Sequence, residues 1–382
     1  MRDAPNENIN AGNVTQRISW IDNAKALGII AVFYGHIVAK IFVTYAIPTA
    51  GLQLKLIYSF HIPLFFLLSG YLVKETHHRN LFMFMKNKFM TRIVPFFFFN
   101  ILILPCYFIN AKISHQSIDI SQYFQGLLYL LTGTAIFNPI TWFLACLFSV
   151  EVINYFLYPL LRKSIILLCM AMVLFYIMGW GLSYKAATIN QYITIQYYWC
   201  IPQAMVAYSF YLFGDLIATF PIFHEKVNPY LNILLLILTA VCVLATFNLN
   251  NVNYSVLLDM CKYGSFLLFP LTAIAGSLCI ISVSRLMPSF SFMSFLGRNT
   301  LSLMGLNFIF VNFTNISFIH YSMEFFSENH FSVFMQCAFL TCMTLLLCVP
   351  LVILLKKYLP FMIGYRKDKD NDQALANSMI QK

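Results

Sequence analysis

Long apolar runs separated by short polar connections dominate the chain. Ten of the runs have about the length that crosses a bilayer as a helix. An eleventh apolar stretch, within residues 122–137, is shorter and contains two glycines, so we interpret it as an interfacial or re-entrant element. The predicted spans are residues 20–45, 56–73, 93–110, 141–161, 164–182, 200–219, 229–248, 264–284, 299–318 and 332–355.

Composition agrees with this pattern. The chain is 60% hydrophobic and 10% charged, whereas soluble domains carry about 25% charged residues. We therefore predict an all-α integral membrane protein with about ten transmembrane helices. The net charge of +10 is spread over the connections, without a basic patch interleaved with aromatic residues, so we do not expect nucleic-acid binding.

The distribution of lysine and arginine predicts the orientation. With both termini in the cytoplasm, 18 basic residues fall on the inner side and five on the outer side, and Lys25 lies within a span. Such an excess of basic residues is typical of loops on the cytoplasmic side of a membrane. We divide the chain into a disordered cytoplasmic tail (1–16), a membrane domain (17–355) and a basic cytoplasmic tail (356–382).

Asp22, Lys25 and His36 are ionisable residues within the first run, and Lys40 lies towards its outer end. Lys25 and His36 are eleven positions apart, which places them on one face of a helix, about 16 Å apart along its axis. Charged groups inside a bilayer are costly and usually line a cavity or meet partners on other helices. The stripe therefore predicts a functional site within the membrane, although Lys25 could also pair with Asp22 and reach the interface.

A second histidine, His61, lies in the next run, which returns from the outer side. The helical rise places His36 and His61 at similar depth in the outer half of the membrane. An imidazole titrates near neutral pH and suits general-base chemistry on a hydroxyl. The alternative is a hydrogen bond that bridges two helices.

Other polar positions have two interpretations each. Glu151 is predicted near mid-membrane. It could be a functional carboxylate or a buried hydrogen-bonding group. Trp142 lies at the outer boundary, where it could stack on a sugar ring or anchor its helix at the interface. The basic residues Lys86, Lys88 and Arg92 could hold the phosphates of a cytoplasmic cofactor or serve orientation alone. The ten cysteines form no CxxC pair, and we expect neither disulfides nor a metal site.

Five stretches together resemble one family. They are RISWIDNAKALGIIAVFYGH, FHIPLFFLLSGYL, KNKFMTRIVPFF, ITWFLACLF and LGRNTLSLMGLN. In order and spacing they are similar to motifs of the acyltransferase-3 family of integral-membrane O-acyltransferases, with closest likeness to the fucose 4-O-acetylase-like branch. The resemblance implies transfer of an acetyl group from cytoplasmic acetyl-CoA to a hydroxyl of a surface glycan or its lipid-linked precursor, at the bacterial inner (cytoplasmic) membrane.

The resemblance also implies roles for particular residues. Matching positions are Lys25 and His36 (a basic residue, ten residues, then His), His61, Arg92 and Trp142. Two positions depart from the family pattern. Lys25 stands where arginine is common, which loses the bidentate fork. Asn307 stands where the late motif usually has histidine.

We expect the phosphates of coenzyme A on Lys25, Lys86, Lys88 and Arg92, and the acceptor near Trp142 and Asn307. His36 would act as general base, or a histidine would carry the acetyl group as a covalent relay, with His61 and Glu151 as further catalytic candidates. The rival hypothesis is a glycan or lipid transporter or flippase with a histidine proton relay, and a third is a polymerase or scaffold for surface polysaccharide. The identity of the glycan and the oligomeric state stay open.

Overall fold

The computed structural model describes residues 18–73, 80–115, 117–189, 195–220, 223, 228–250, 255–288, 290–314, 319–320 and 329–365. These residues form helices, with no β-strand beyond one isolated bridge. The helices are α1 (Ser19–Tyr45), α2 (Pro48–Tyr58), α3 (His61–Tyr71), α4 (Leu81–Lys88), α5 (Val94–Leu102), α6 (Leu104–Ile113), α7 (Ile120–Leu131), α8 (Trp142–Leu161), α9 (Ile165–Ile189), α10 (Ile201–Ile217), α11 (Pro229–Thr246), α12 (Leu268–Leu286), α13 (Ser291–Arg298), α14 (Thr300–Ile309) and α15 (His330–Tyr358).

Nine helical stretches in the described part of the chain are long and apolar enough to cross a membrane. A shorter apolar stretch, Thr300–Phe313, occupies the position of the ninth predicted span. Each of the ten predicted runs thus corresponds to a helical stretch, nine of them of full length. The predicted N-terminal tail, 1–16, lies outside the described residues. Of the predicted C-terminal tail, residues 356–365 are described: α15 continues to Tyr358, and a turn follows.

The second stretch begins earlier than predicted. Residues 48–55, expected in a connection, form the start of α2, with Pro48 in the first turn, where a proline is tolerated. The helix is then interrupted at Ser59 and Phe60, and α3 begins at His61. The interruption therefore places His61 in the first turn of a helix.

The third stretch also begins earlier, at Leu81 instead of residue 93. Asn80 caps α4 by accepting a hydrogen bond from the Phe82 N–H at 3.0 Å. Between α4 and α5 lies a π-helical turn, Phe89–Ile93. Pro95 has no N–H for the Thr91 carbonyl, and the Arg92 guanidinium donates to that oxygen instead, at 3.3 Å.

Helix α1 lies at the centre of the helical assembly. It packs against α2, α3, α12, α13, α14 and α15. Large aromatic side chains fill the interior of the assembly, and among the described residues the fully buried ones include Tyr208, Phe33, Phe66, Phe96, Phe99 and Phe269. The polar stripe of the first run therefore faces other helices rather than lipid alone.

Helices α3 and α10 approach closely because glycine lies at their contact. A Cβ atom added to Gly214 would lie 2.0 Å from the Leu67 carbonyl oxygen, which is backbone and cannot rotate away. Only glycine permits this spacing. The contact fixes α3, and with it His61, against the body of the protein.

The connection between α11 and α12 folds inward as a small hairpin. Leu257 and Lys262 exchange backbone hydrogen bonds of 2.8 and 2.9 Å. Val256, Leu258 and Tyr263 bury their side chains in the interior. We call residues 255–264 the inserted hairpin.

The short apolar stretch after α6 forms α7. Its 12 residues are too few to cross a bilayer, which requires about 20. Ile120, Phe124 and Leu131 are exposed, whereas Gly126 and Leu130 are buried. This amphipathic helix matches the expectation of a short apolar element, and its location at the membrane interface stays a prediction.

Candidate active site

His36 and His61 line one cavity of about 230 Å³, which we call the histidine cavity. Tyr58, Trp142 and Asp259 line it as well. The remaining lining residues are mainly apolar: Val32, Ile62, Pro139, Ile140, Val256, Leu257, Leu258, Met304 and Phe308. The structure thus brings together the two histidines that the helical rise placed at similar depth. Their catalytic roles stay predictions.

The hydrogen bonding of His61 determines which ring nitrogen carries the proton. Its Nδ1 lies 2.9 Å from the Ile57 carbonyl oxygen, one turn earlier in the chain. A carbonyl only accepts, so Nδ1–H is the donor and the neutral ring keeps its lone pair on Nε2. His61 is only 3% exposed, which holds the ring in this orientation.

Tyr58 lies between the two imidazoles. Its hydroxyl is 3.2 Å from His36 Nδ1, and its ring centroid is 4.7 Å from that of His61. The close approach depends on Gly35, where an added Cβ would lie 3.0 Å from the Tyr58 ring. The arrangement links helices α1, α2 and α3 at one site.

A larger cavity of about 460 Å³ adjoins the histidine cavity, and we call it the tyrosine cavity. The two cavities share Pro139, Trp142 and Asp259. The other lining residues are Tyr129, Thr132, Gly133, Thr134, Ala135, Ile136, Tyr198, Cys200, Gln203 and Met260. Trp142, at the start of α8, therefore faces both spaces.

Asp259 occupies the turn of the inserted hairpin. Burial raises the pKa of its carboxyl above the ordinary range, although hydrogen bonds from the N–H groups of Met260 and of Asp259 itself and the charge of Lys262 act in the opposite direction. The Gln203 side-chain amide donates to the Asp259 carbonyl oxygen at 2.8 Å. The turn is therefore held from α10 while its carboxyl group adjoins both cavities.

Glu151 lies with the basic residues of α4 and the π-helical turn. Its carboxylate accepts hydrogen bonds from Lys88 Nζ at 2.8 Å and from Arg92 Nη2 and Nε at 3.0 and 3.2 Å. Lys86, by contrast, is exposed. None of these four residues lines either cavity. Glu151 thus anchors two cations, and no contact with a histidine is seen.

Lys25 and its neighbours lie at the other end of α1 from His36. Asp22 is buried, with one oxygen 3.4 Å from Ser294 Oγ and 4.0 Å from Arg298 Nε. Lys25, one turn later, is partly buried and also lines neither cavity. Arg298 is thus an ionic partner of Asp22, whereas the predicted pair of Lys25 with Asp22 at the inner boundary stays a prediction.

Asn307 is fully buried in α14, close in sequence to the cavity-lining Met304 and Phe308. Among the residues that the structure describes, neither atom of its side-chain amide has a hydrogen-bond partner. Asn307 itself does not line the two cavities, so contact with an acceptor stays a prediction.

Sequence reasoning missed Tyr58, Gln203 and Asp259. Tyr58 precedes His61 by three residues, a spacing that shares one helical face and could have identified it. Asp259 is the only acidic residue between Glu225 and Glu324. Nothing in the sequence indicates that its connection folds inward.

Metal binding has no evident location in the described ranges. No group of three or more His, Cys, Asp or Glu side chains there is arranged to hold a metal ion.

Helix α1 carries a basic residue, Lys25, and after ten further residues a histidine, His36, which lines a cavity. This pattern can be compared with known families. A family model for an acyltransferase domain, that of the acyltransferase-3 family, matches residues 18–353. The chain belongs to the acyltransferase-3 family. No curated protein sequence and no solved structure matches it. The match covers both cavities and the Glu151 cluster, and it supports a membrane acyltransferase.

Proposed function

We propose that this acyltransferase moves an acetyl group from cytoplasmic acetyl-CoA to a hydroxyl of a surface glycan or its lipid-linked precursor. It would work in the bacterial inner membrane, as a member of the fucose 4-O-acetylase-like branch. The observation that carries the proposal is the histidine cavity, where two imidazoles and a tyrosine hydroxyl adjoin a larger space lined by aromatic and hydroxyl side chains. The family match favours acyl transfer over the transporter or flippase alternative.

The donor would bind through the basic residues. Ammonium and guanidinium groups fit phosphate, which accepts charge-assisted hydrogen bonds. Glu151 neutralises one of the two charges of Lys88 and Arg92, so this group keeps one net positive charge, to which Lys86 and Lys25 add. Glu151 is accordingly a positioning residue, because it holds Lys88 and Arg92 in a defined orientation.

His36 is the proposed general base. Its imidazole would take the proton of the acceptor hydroxyl while that oxygen attacks the thioester carbonyl, and the bond to the coenzyme A sulfur would break. The Tyr58 hydroxyl orients the His36 ring through Nδ1. His61, with its lone pair on Nε2, would be the second base or the acetyl carrier of a two-step relay.

The experiment measures acceptor-dependent acetyl transfer by purified protein in nanodiscs. His36→Ala and His61→Ala should each lower kcat about 100-fold or more, because general-base catalysis contributes about that factor. His330→Ala, an exposed histidine at the start of α15, is the matched control and should retain activity. Activity retained in both cavity variants, with wild-type melting temperatures, would refute the assignment.

A further inference from the structure

We propose that the tyrosine cavity binds the acceptor as a neutral saccharide, and that Gln203 and Asp259 together select it over acidic sugars. The inference rests on the proposed function, which supplies the sugar hydroxyl as acceptor. It adds a binding site and a charge preference. Three independent features of the cavity support it.

The first feature is an unsatisfied polar group. Gln203 is 1% exposed and lines the tyrosine cavity. Its Nε2 donates to the Asp259 carbonyl oxygen, but its Oε1 has no partner among the described residues. A buried acceptor without a partner is costly, and a hydroxyl donor from a ligand would remove that cost.

The second feature is the charge of the lining. Among the residues that the structure describes, Asp259 is the only carboxylate in the cavity wall, and none of the lining residues is a lysine, arginine or histidine. A carboxylate accepts hydrogen bonds from hydroxyl groups and repels another carboxylate. A uronic acid would therefore be disfavoured relative to the neutral sugar of the same stereochemistry.

The third feature is the connection to the histidines. Trp142 and Tyr129 give the cavity flat apolar faces against which the C–H face of a sugar ring can pack. Because Trp142, Pro139 and Asp259 line both cavities, a sugar held here presents its hydroxyls towards the histidine cavity. The volume of about 460 Å³ lies within the range of about 300–1,000 Å³ for small-molecule sites.

The test measures binding separately from transfer. Protein in nanodiscs is titrated, by saturation-transfer NMR, with the methyl glycosides of glucose, galactose and mannose, each beside its matching uronic acid. We expect at least one neutral glycoside to bind at least tenfold more tightly than its uronate. Gln203→Leu should weaken binding of the neutral glycoside about tenfold, since one hydrogen bond is lost. Gln336→Leu is the control, since Gln336 is equally buried at 1% and lines neither cavity.

Asp259→Asn gives a gain of binding that misfolding cannot mimic. This variant should bind the uronate more tightly than wild type does, because the opposing charge is removed. No binding of any glycoside, equal binding of both members of every pair, or equal effects of Gln203→Leu and Gln336→Leu would overturn the inference. Binding with the expected pattern but without acetyl transfer from acetyl-CoA would support the saccharide site and refute the proposed transferase function.

Discussion

At the scale of single residues, the candidate site is built from polar groups that have limited freedom. His61 donates through Nδ1 to the Ile57 carbonyl, and His36 is held through Nδ1 by Tyr58. The His61 ring therefore keeps its lone pair on Nε2. Asp259 and Gln203 come from different parts of the chain, yet they meet at one turn. Groups placed in this way need little reorganisation during a reaction.

Asp259 provides a prediction on pH and stability. Because burial raises its pKa, the folded state binds this proton more tightly than the unfolded state does, and stability falls as pH rises through the folded pKa. Asp259→Asn should therefore raise the melting temperature at pH 7 and above. The gain should shrink as pH falls from the raised folded pKa towards the ordinary carboxyl range. Melting curves between pH 4 and pH 8 test this, and a gain that is constant with pH would contradict it.

At the scale of elements, two helix interruptions position the functional side chains. The break at Ser59 and Phe60 starts α3 at His61, and the π-helical turn before Pro95 carries Arg92 towards Glu151. Neither interruption follows from apolar periodicity, because both lie within continuous apolar or basic sequence. Each depends on local hydrogen bonding that only the folded chain reveals.

The contact between α3 and α10 predicts a steric effect. Gly214→Ala should lower stability by about 1–3 kcal/mol, since its Cβ would overlap the Leu67 carbonyl and force the helices apart. Gly181→Ala in α9 is the matched control, because its Cβ would meet nothing within 4 Å. This control should be neutral or stabilising by about 0.5–1 kcal/mol. Thermal melting in detergent distinguishes the two, and similar effects would argue against the tight contact.

The ion pairs of Glu151 in α8 with Lys88 and Arg92 predict an electrostatic effect on stability and on donor binding. Glu151→Gln leaves Lys88 and Arg92 close together without their carboxylate, and removing one partner of a buried ion pair costs about 3–5 kcal/mol. We expect a lower melting temperature and weaker binding of acetyl-CoA in the same variant. Asp119→Asn removes an exposed carboxylate while keeping a good helix cap, and it should change neither property. An unchanged melting temperature for Glu151→Gln would contradict the ion-pair role.

At the scale of the whole molecule, α1 joins the two ends of the site. Its N-terminal part carries Lys25 one turn after Asp22, and its C-terminal part carries His36, about 16 Å further along the axis. The helix packs against both halves of the chain, since α2 and α15 each contact it. Donor and acceptor groups can therefore be organised around a single helix.

Topology provides the last prediction. The short stretch Thr300–Phe313 decides between nine and ten crossings. If it crosses, alkaline phosphatase fused after Asn329 is active, whereas alkaline phosphatase fused after Arg298 or after Lys382 is inactive. Fluorescent protein fused after Arg298 or after Lys382 is then fluorescent. If it does not cross, the fusion after Asn329 is inactive and the one after Lys382 is active. The second pattern would refute two cytoplasmic termini.

The sequence by itself determined the all-helical membrane class, the location of the apolar runs and the placement of His36 and His61 at one depth. These features depend on bilayer thickness and helical rise, which act on each segment separately. Only the tertiary structure decided that Glu151 pairs with Lys88 and Arg92, that Tyr58 bridges the imidazoles, and that the inserted hairpin brings Asp259 to the wall between two cavities. Most of those contacts join different helices from distant parts of the chain, and hydropathy contains no information on which polar groups will meet once the helices pack.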